Sequence, residues 1–353
     1  MRISAGAFFL CMIILMNWQD LWRIILALSM MCGKHAELDA FLKKGYVGRD
    51  WFHRKKIRAR EVPPNQCFMQ CRRQACDIGD IKMYRVNGSN PLLDNLLTEK
   101  DRYCFNLFYR IREDAGAFIA TDGSTCILAQ SNPHTPVWIW LKNSPDEKSR
   151  VEISSILRER FSACGRIAVN AYEPYTEALL RSFANSEHAE YRINKRLNVY
   201  ACPSVHPVQK RGRMLPAAPC YQEEIAQLIT VMMRDADLQE PDREEARQYA
   251  EGKSVSGSLF LWENEEGKIV SMTDITHRTE RYARLNAVVT AREHRGQGYA
   301  EMLVSSVTQL LLQDGLTPML YADAGYPPSN AVYRKIGYVK QGEITEQEIF
   351  RKG

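Results

Sequence analysis

The sequence predicts a mixed α/β fold, and three consecutive features near its C-terminal end carry that prediction. Residues 286–290, Asn-Ala-Val-Val-Thr, form a β-branched run that is typical of a strand. Residues 295–300 form a glycine loop, and apolar residues follow it at helical spacing, at Leu303, Val307, Leu310 and Leu311. A strand that leads through a glycine loop into a helix indicates a site for a phosphate-bearing cofactor near residue 295.

The loop reads Arg295-Gly296-Gln297-Gly298-Tyr299-Ala300. Its glycines leave backbone N–H groups unobstructed, and the positive end of the following helix dipole adds to their attraction for a pyrophosphate. Beyond the helix, Gly315 is a C-cap and residues 317–321 form a second short strand. Pro327-Pro328 then starts a short helix that ends at Gly337.

A dinucleotide site of the Rossmann type is the competing interpretation. It requires G-x-G-x-x-G and an acidic residue about 20 residues later. The loop provides only G-x-G-x-A, although Asp314 and Asp323 lie near the required distance. Few residues follow the strand, which leaves little room for a doubly wound sheet. An NAD-dependent enzyme therefore stays a minor alternative.

At these residues the sequence resembles a known family. The run from Arg295 to Ala300 resembles the R-G-x-G-x-A acyl-CoA loop of the GNAT N-acetyltransferase superfamily, and residues 286–290 resemble the central strand before that loop. Residues 329–338 resemble the S-N-x-x-x-Y-x-x-x-G-[FY] segment that closes the domain, with a spacing one residue tighter than the pattern. The resemblance covers 210–353, is faint over 83–205 and is absent before residue 83.

The resemblance implies acetyl-CoA as co-substrate and assigns roles to the matching positions. The backbone amides of Ala287, Val288 and Val289 would hold the pantetheine and the oxyanion. Those of Arg295, Gly296, Gln297, Gly298, Tyr299 and Ala300 would hold the pyrophosphate. Asn330 would touch the pantetheine or the phosphate arm. Tyr333 would protonate the leaving thiolate, since a phenol with a pKa near 10 suits a thiol leaving group.

Acetyl transfer to an amine also needs a group that takes the proton of the amine. Asp274 lies in a predicted strand, and we expect it to face the acceptor. Glu280 and Glu293 are weaker candidates, and a chain of water molecules is an alternative. His277 is expected in a loop, and no metal site is predicted.

Residues 83–205 are predicted to form a second mixed α/β unit. Its expected elements are a hairpin around Asp122-Gly123, a strand at 137–141, a helix at 151–161, a strand at 166–170 and a helix at 175–183. The helix–strand–helix order recurs in 301–338, so we interpret 83–205 as a degenerate GNAT-like copy without a glycine loop. Residues 206–353 would be the catalytic domain, and the proline-containing stretch 203–219 the linker.

Residues 1–82 differ from the rest. Their apolar runs are shorter than the 18 or so residues of a spanning helix, so a membrane role is not favoured over a poorly ordered extension or an upstream translation outside the fold.

Structural zinc at Cys67, Cys71 and Cys76 is a minority interpretation. The scatter of 10 cysteines favours a reducing compartment, the cytoplasm, and a net charge of +5 does not indicate a nucleic-acid binder.

These observations predict an acetyl-CoA-dependent N-acetyltransferase that acts on a primary amine of a small molecule or peptide. Direct transfer is favoured because residues 221–353 contain no cysteine. A non-catalytic acyl-CoA-binding regulatory module is the alternative. The chain would be a monomer with an internal pseudo-dimer, or a homodimer.

Overall fold

The computed structural model describes residues 83–236 and 238–351. The interpretations of 1–82, including the cysteine cluster, lie outside these residues. The strands of the N-terminal half, 83–205, are β1 (Tyr84–Arg85), β2 (Phe118–Thr121), β3 (Cys126–Gln130), β4 (Val137–Leu141), β5 (Arg166–Ala171) and β6 (Glu190–Ala201). Its helices are α1 (Leu92–Leu96), α2 (Glu99–Cys104), α3 (Leu107–Ile111), α4 (Glu147–Cys164) and α5 (Glu173–Ser186).

In the described residues, the C-terminal half, from residue 206, repeats the six strands and has four helices instead of five. Its strands are β7 (Arg213–Pro216), β8 (Leu259–Glu263), β9 (Ile269–Arg278), β10 (Tyr282–Thr290), β11 (Thr317–Asp323) and β12 (Val339–Phe350). Its helices are α6 (Gln222–Asp235), α7 (Arg243–Ser254), α8 (Tyr299–Gln313) and α9 (Pro327–Ile336).

Local signals set the ends of the helices. Asp146 accepts a hydrogen bond from the backbone N–H of Ser149 and so caps α4, while Gly165 ends that helix at φ 64°. The predicted core of 151–161 is therefore extended by about one turn at its start. Helix α9 begins with two prolines, which need no N–H partner there, and ends at Gly337 with φ 119°.

The described strands form one sheet in the order β1-β2-β3-β4-β5-β12-β6-β11-β10-β9-β8-β7. Each strand of the N-terminal half has its counterpart six strands later, at the mirrored position of the sheet. The β12–β6 pair lies at the centre of this palindrome. The order thus confirms the predicted pair of tandem copies and shows a relation that the local pattern did not indicate.

The last strand of each half is exchanged into the other half. Strand β6 pairs with β11 from Met319↔Ala201 to Asp323↔Leu197, and β12 pairs with β5 from Thr345↔Ala171 to Phe350↔Arg166. The halves therefore share continuous backbone hydrogen bonding on both sides of the boundary predicted at 205/206.

A buried ion-pair cluster holds the exchanged β12 in place. The Glu348 side chain is 0% exposed and is bonded by Arg166 of β5 and by Arg192 of β6, the latter at 2.6 Å. A carboxylate buried this completely needs both partners, because an unpaired buried charge is costly.

We expect Glu348→Ala to lower the free energy of unfolding by about 3 kcal/mol, the lower end for a broken buried ion pair, because both arginines keep some contact with water. Urea denaturation measures this. Glu343→Ala, on the same strand, is the control: its pairs with Lys340 at 3.0 Å and Arg196 at 3.8 Å are partly exposed, so its loss should cost below about 1 kcal/mol. Equal effects of the two substitutions would contradict the proposed lock.

Two expectations need correction. The predicted linker contains β7, the strand at the edge of the sheet, where Pro216 at the end of the strand is tolerated because an edge position leaves a missing N–H unused. His277 lies in β9 and is buried, not in a loop. In the part of the chain that the structure describes, we find no helix with the length and apolarity needed to cross a bilayer.

The strand directions in the sheet also contradict the Rossmann-type dinucleotide interpretation. Among the described strands, β4–β5 and β10–β11 are parallel neighbours, whereas the other neighbouring pairs are antiparallel. A Rossmann domain needs a predominantly parallel sheet with its crossover helices.

Candidate active site

Strands β10 and β11 separate halfway along their length. Their parallel register runs from Tyr282↔Thr317 to Leu285↔Leu320 and stops there. Beyond this point β11 continues to pair with β6, while β10 keeps pairing with β9 alone. After Leu285, β10 no longer pairs with β11, and from the bulge onward its edge can bond another extended group.

A bulge in β10 lies at the start of this split. Asn286 is opposite Asp274 and Val289 is opposite Met272, so Ala287 and Val288 together face a single residue of β9. Ala287 has φ 50°, a conformation that is uncommon for a residue with a side chain. Such a bulge re-aims backbone groups out of the ladder, and backbone strain of this kind is typical of functional sites.

The glycine loop opens directly into α8. Gly296 has φ 73° and Gly298 φ 84°, and a Cβ added at either position would meet no atom within 4 Å. Gly298 is the N-cap of α8, and no side chain of the described residues caps the helix. Uncapped N–H groups at the start of a helix are the donors that bind phosphate groups.

Two arginines of the loop region share one carboxylate. Asp235, at the end of α6, accepts a hydrogen bond from Arg292 at 3.0 Å and a short one from Arg295. Although burial acts to raise it, these bonds hold the pKa of Asp235 below its usual range. The side chain of Arg295 also donates to the carbonyl of Thr290 at 3.1 Å. In this structure it therefore braces the loop against α6 and β10.

A third arginine comes from the predicted linker. Arg211 donates to the carbonyl of Gln297 at 2.8 Å, and its guanidinium carbon lies 5.0 Å from the centroid of the Tyr299 ring. Glu265 lies 3.5 Å away. Arg211 thus brings a third guanidinium to the loop region, beside backbone N–H groups that favour an anionic ligand. Tyr299 itself is buried and contributes to the core.

A cleft adjoins the bulge between α6, α7 and strands β8–β10; we call it the α6–α7 cleft. Its lining residues are Ile225, Ile229, Met232, Tyr249, Lys253, Leu259, Met272, Asp274 and Ala287. The walls are largely apolar, and the bulge residue Ala287 forms part of them. An acceptor bound there would lie beside the re-aimed backbone of β10.

Asp274 lines this cleft, but it is not a free carboxylate. Lys253 donates to it at 2.8 Å and the hydroxyl of Ser258 at 2.6 Å. Lys253 and Asp274 are both nearly fully buried, at 4% and 1% exposure. Both oxygens of this carboxylate are thus already bonded within the protein.

Tyr333, on α9, is packed between two other aromatic rings. Its centroid lies 6.2 Å from that of Tyr200 and 5.9 Å from that of Tyr338. Burial raises its pKa above the ordinary value, so the hydroxyl stays protonated at neutral pH. Val288 of the bulge packs against the same apolar cluster.

Asn330 uses its whole side chain within the protein. Its amide donates to the carbonyls of Asp323 at 2.7 Å and Tyr326 at 2.8 Å. Its oxygen accepts from Asn198 at 2.8 Å and Tyr200 at 3.0 Å. The side chain thereby ties α9 to the exchanged strand β6. A direct contact with pantetheine, which the resemblance implies, would require one of these bonds to break.

Sequence reasoning missed three charged residues of this region: Arg211, Lys253 and Arg284. Arg211 lies in a proline-rich stretch that was interpreted as a linker, so nothing marked it as part of a site. Lys253 belongs to a helix whose apolar periodicity is weak. Arg284 had a usable signal, since it is a charge between Ala283 and Leu285, both of which are buried in β10.

Comparisons with known proteins agree with the fold. Residues 265–348 match the family model described as FR47-like protein. A GCN5-related N-acetyltransferase from Sphaerobacter thermophilus is similar in structure, with a TM-score of 0.54 and 15% identity over 77% of this chain and 96% of that one. A Drosophila protein gives a TM-score of 0.52 and 11% identity, over 77% and 99% of the two chains.

A tandem GNAT protein from the clavulanic acid biosynthesis pathway is also similar, at 12% identity over 77% of this chain and 98% of that one, with a TM-score of 0.47. No curated protein matches the sequence.

Proposed function

We propose, from the GNAT fold of this chain, that it is an acetyl-CoA-dependent N-acetyltransferase that transfers the acetyl group directly to a primary amine of a small molecule or peptide. The observation that carries this proposal is the bulge at Ala287. It lies where β10 and β11 separate, between the open N-terminus of α8 on one side and the α6–α7 cleft on the other.

In this proposal the pyrophosphate of acetyl-CoA binds the N–H groups of residues 295–300, and Arg211 adds a positive charge beside them. The pantetheine then lies along the free edge of β10, where it replaces the hydrogen bonds that β11 no longer makes. The amides of Ala287, Val288 and Val289 bond the pantetheine and the developing oxyanion, which preorganised donors stabilise.

The acceptor amine enters from the α6–α7 cleft. Asp274 attracts and orients the amine, and because Lys253 already pairs with it, we assign the removal of the proton to water within reach of this carboxylate. The amine then attacks the thioester carbon, the tetrahedral intermediate collapses, and Tyr333 gives its proton to the thiolate. The absence of cysteine from 221–353 favours this direct route over an acyl-enzyme.

A reducing compartment, the cytoplasm, suits the described cysteines. The thiols of Cys104, Cys126, Cys164, Cys202 and Cys220 are unpaired.

The experiment that tests the function is steady-state release of CoA thiol from acetyl-CoA with a panel of amines, together with mass detection of the acetylated product. Turnover with at least one amine supports the proposal. Binding of acetyl-CoA without turnover across a broad panel would instead favour the regulatory module.

We expect one acetyl-CoA site per chain. In the N-terminal half β4 is the counterpart of β10, yet its pairing with β3 has no register shift, so the bulge is missing. The helix that follows, α4, is capped by Asp146, whose pKa is lowered by hydrogen bonds from Ser149. A carboxylate there repels a pyrophosphate.

Isothermal titration of the full chain measures the stoichiometry, and light scattering gives the mass of the particle. A value of two sites per chain would contradict a silent N-terminal half. A monomer would support pairing of the halves within one chain.

A further inference from the structure

Arg284 is a buried cation that has no counter-ion among the described residues. It lies on β10, three residues before the bulge, and is only 5% exposed. Its Nε has no hydrogen-bond partner, and among the described residues no carboxylate forms an ion pair with it. Its guanidinium carbon instead lies 5.7 Å from the ring centroid of Tyr321. Burying a guanidinium in this way is unfavourable unless something bonds it.

Asp274 lies near enough to favour the charged guanidinium, but it is itself paired with Lys253 and forms no ion pair with Arg284. The other cations of this region each have their own carboxylate, in the pairs Arg110–Asp114 at 2.6 Å, Arg112–Asp94 at 3.0 Å and Lys253–Asp274 at 2.8 Å. Beside Arg284 on the neighbouring strand, His277 is neutral, since burial together with Arg284, Arg110 and Arg112 lowers its pKa to about 3. Glu113 is 57% exposed and lies 3.7 Å from His277.

The position of Arg284 relates it to the proposed reaction. The last paired residues before β10 and β11 separate are Leu285 and Leu320, so Arg284 and Tyr321 flank the base of the split. Residues 284 and 287 are about 10 Å apart along an extended strand. The guanidinium lies over the ring of Tyr321 on β11, at the base of the split and on the strand that carries the bulge.

We propose that Arg284 binds a carboxylate of the acceptor, which makes the acceptor an amino acid whose amine lies at the bulge. This inference rests on the proposed function and names its substrate class. A planar guanidinium binds a carboxylate with two parallel hydrogen bonds, and a dry site strengthens them. The acceptor thus supplies the missing counter-ion, and the amine is oriented through its carboxylate.

The test compares matched acceptors on the full chain. Each α-amino acid is measured beside its carboxamide and its decarboxylated amine, with acetyl-CoA as donor and thiol release as readout. We expect kcat/KM to be about 100-fold higher for the acid than for the carboxamide, because the carboxamide leaves the guanidinium without an anion. A ratio near one with measurable turnover overturns this inference and leaves the proposed function standing. No turnover with any acceptor overturns both.

A variant series locates the effect. In Arg284→Met the preference for the acid over the carboxamide should collapse to a ratio near one, whereas Arg284→Lys should keep part of it, as a point charge without the fork. Arg110→Met is the matched control: it removes a nearby cation that is already paired, and the ratio should not change. A preference that survives in Arg284→Met would overturn the assignment.

Two further measurements exclude other roles for Arg284. If Arg284 had a structural role, its replacement would lower the melting midpoint. Replacing an unpaired buried cation with Met should instead leave the midpoint unchanged or raise it.

The carboxylate that Arg284 binds could instead belong to the acyl group of the donor. A wild-type preference for succinyl-CoA over acetyl-CoA that disappears in Arg284→Met, with no preference among acceptors, would contradict the proposal.

Discussion

Gly298→Asp is expected to abolish the binding of acetyl-CoA. The substitution places a carboxylate at the N-cap of α8, where the proposed pyrophosphate meets the first N–H groups of the helix. Two like charges about 4 Å apart repel each other by about 4 kcal/mol at an effective dielectric constant near 20, which corresponds to roughly a thousand-fold loss of affinity. The new carboxylate can also cap the helix and pair with Arg211, so it competes for the same donors. Calorimetry measures the loss.

Gly298→Asn separates charge from bulk. Asn tolerates the left-handed conformation about as well as Asp and has the same shape, so it should weaken binding far less. Gly315→Asp places the same side chain at the other end of α8, where φ is 76° and no atom lies within 4 Å of the new Cβ. It should leave the affinity unchanged. Unchanged affinity in Gly298→Asp, with the fold intact, would mean that the loop is not the phosphate site.

The part of the fold that the sequence predicted is the part with local signals. The hairpin around Asp122-Gly123 and the end of α9 at Gly337 follow from residues close together in the chain. The exchange of β6 and β12 does not, because strand pairing between residues 197 and 323 depends on contacts far apart in sequence. The polar, partly exposed pattern of β12 also hides Glu348, whose burial becomes visible only when β5 and β6 lie on either side of it.

The candidate site also has a part that local sequence signals predicted and a part that depends on residues far apart in the chain. The loop 295–300 and the strand 286–290 were predicted because backbone geometry there demands particular residues. Its partners were not: Arg211 arrives from the linker, and Lys253 neutralises Asp274 from a separate helix. Asn330 matched a motif, yet its bonds to Asn198 and Tyr200 show a role in joining the halves that a motif cannot indicate. Charged residues acquire their roles from the neighbours that the fold brings to them.

Tyr333→Phe is expected to lower kcat by roughly 10²–10⁴-fold, the range for loss of a true proton donor, while the affinity for acetyl-CoA changes little. The substitution is expected to remove the hydroxyl without disturbing the packing around it. The structure shows no hydrogen bond from the Tyr333 hydroxyl within the described residues, so Phe keeps the ring packing against Tyr200 and Tyr338 and leaves no partner unsatisfied. Single-turnover kinetics, with calorimetry for the affinity, measure the two effects separately.

The matched control is Tyr338→Phe, in the same aromatic cluster. Its hydroxyl shares a buried hydrogen bond of 2.7 Å with Thr308, so its loss should cost about 1–3 kcal/mol of stability and leave kcat nearly intact.

The pH profile of the wild-type enzyme adds a second check on Tyr333. Burial raises the pKa of Tyr333, so its proton is present at every pH below the ordinary phenol value, and wild-type kcat should show no alkaline fall from this group below about pH 10. Unchanged kcat in Tyr333→Phe, with chemistry shown to limit the rate, would return Tyr333 to a purely structural role in the core.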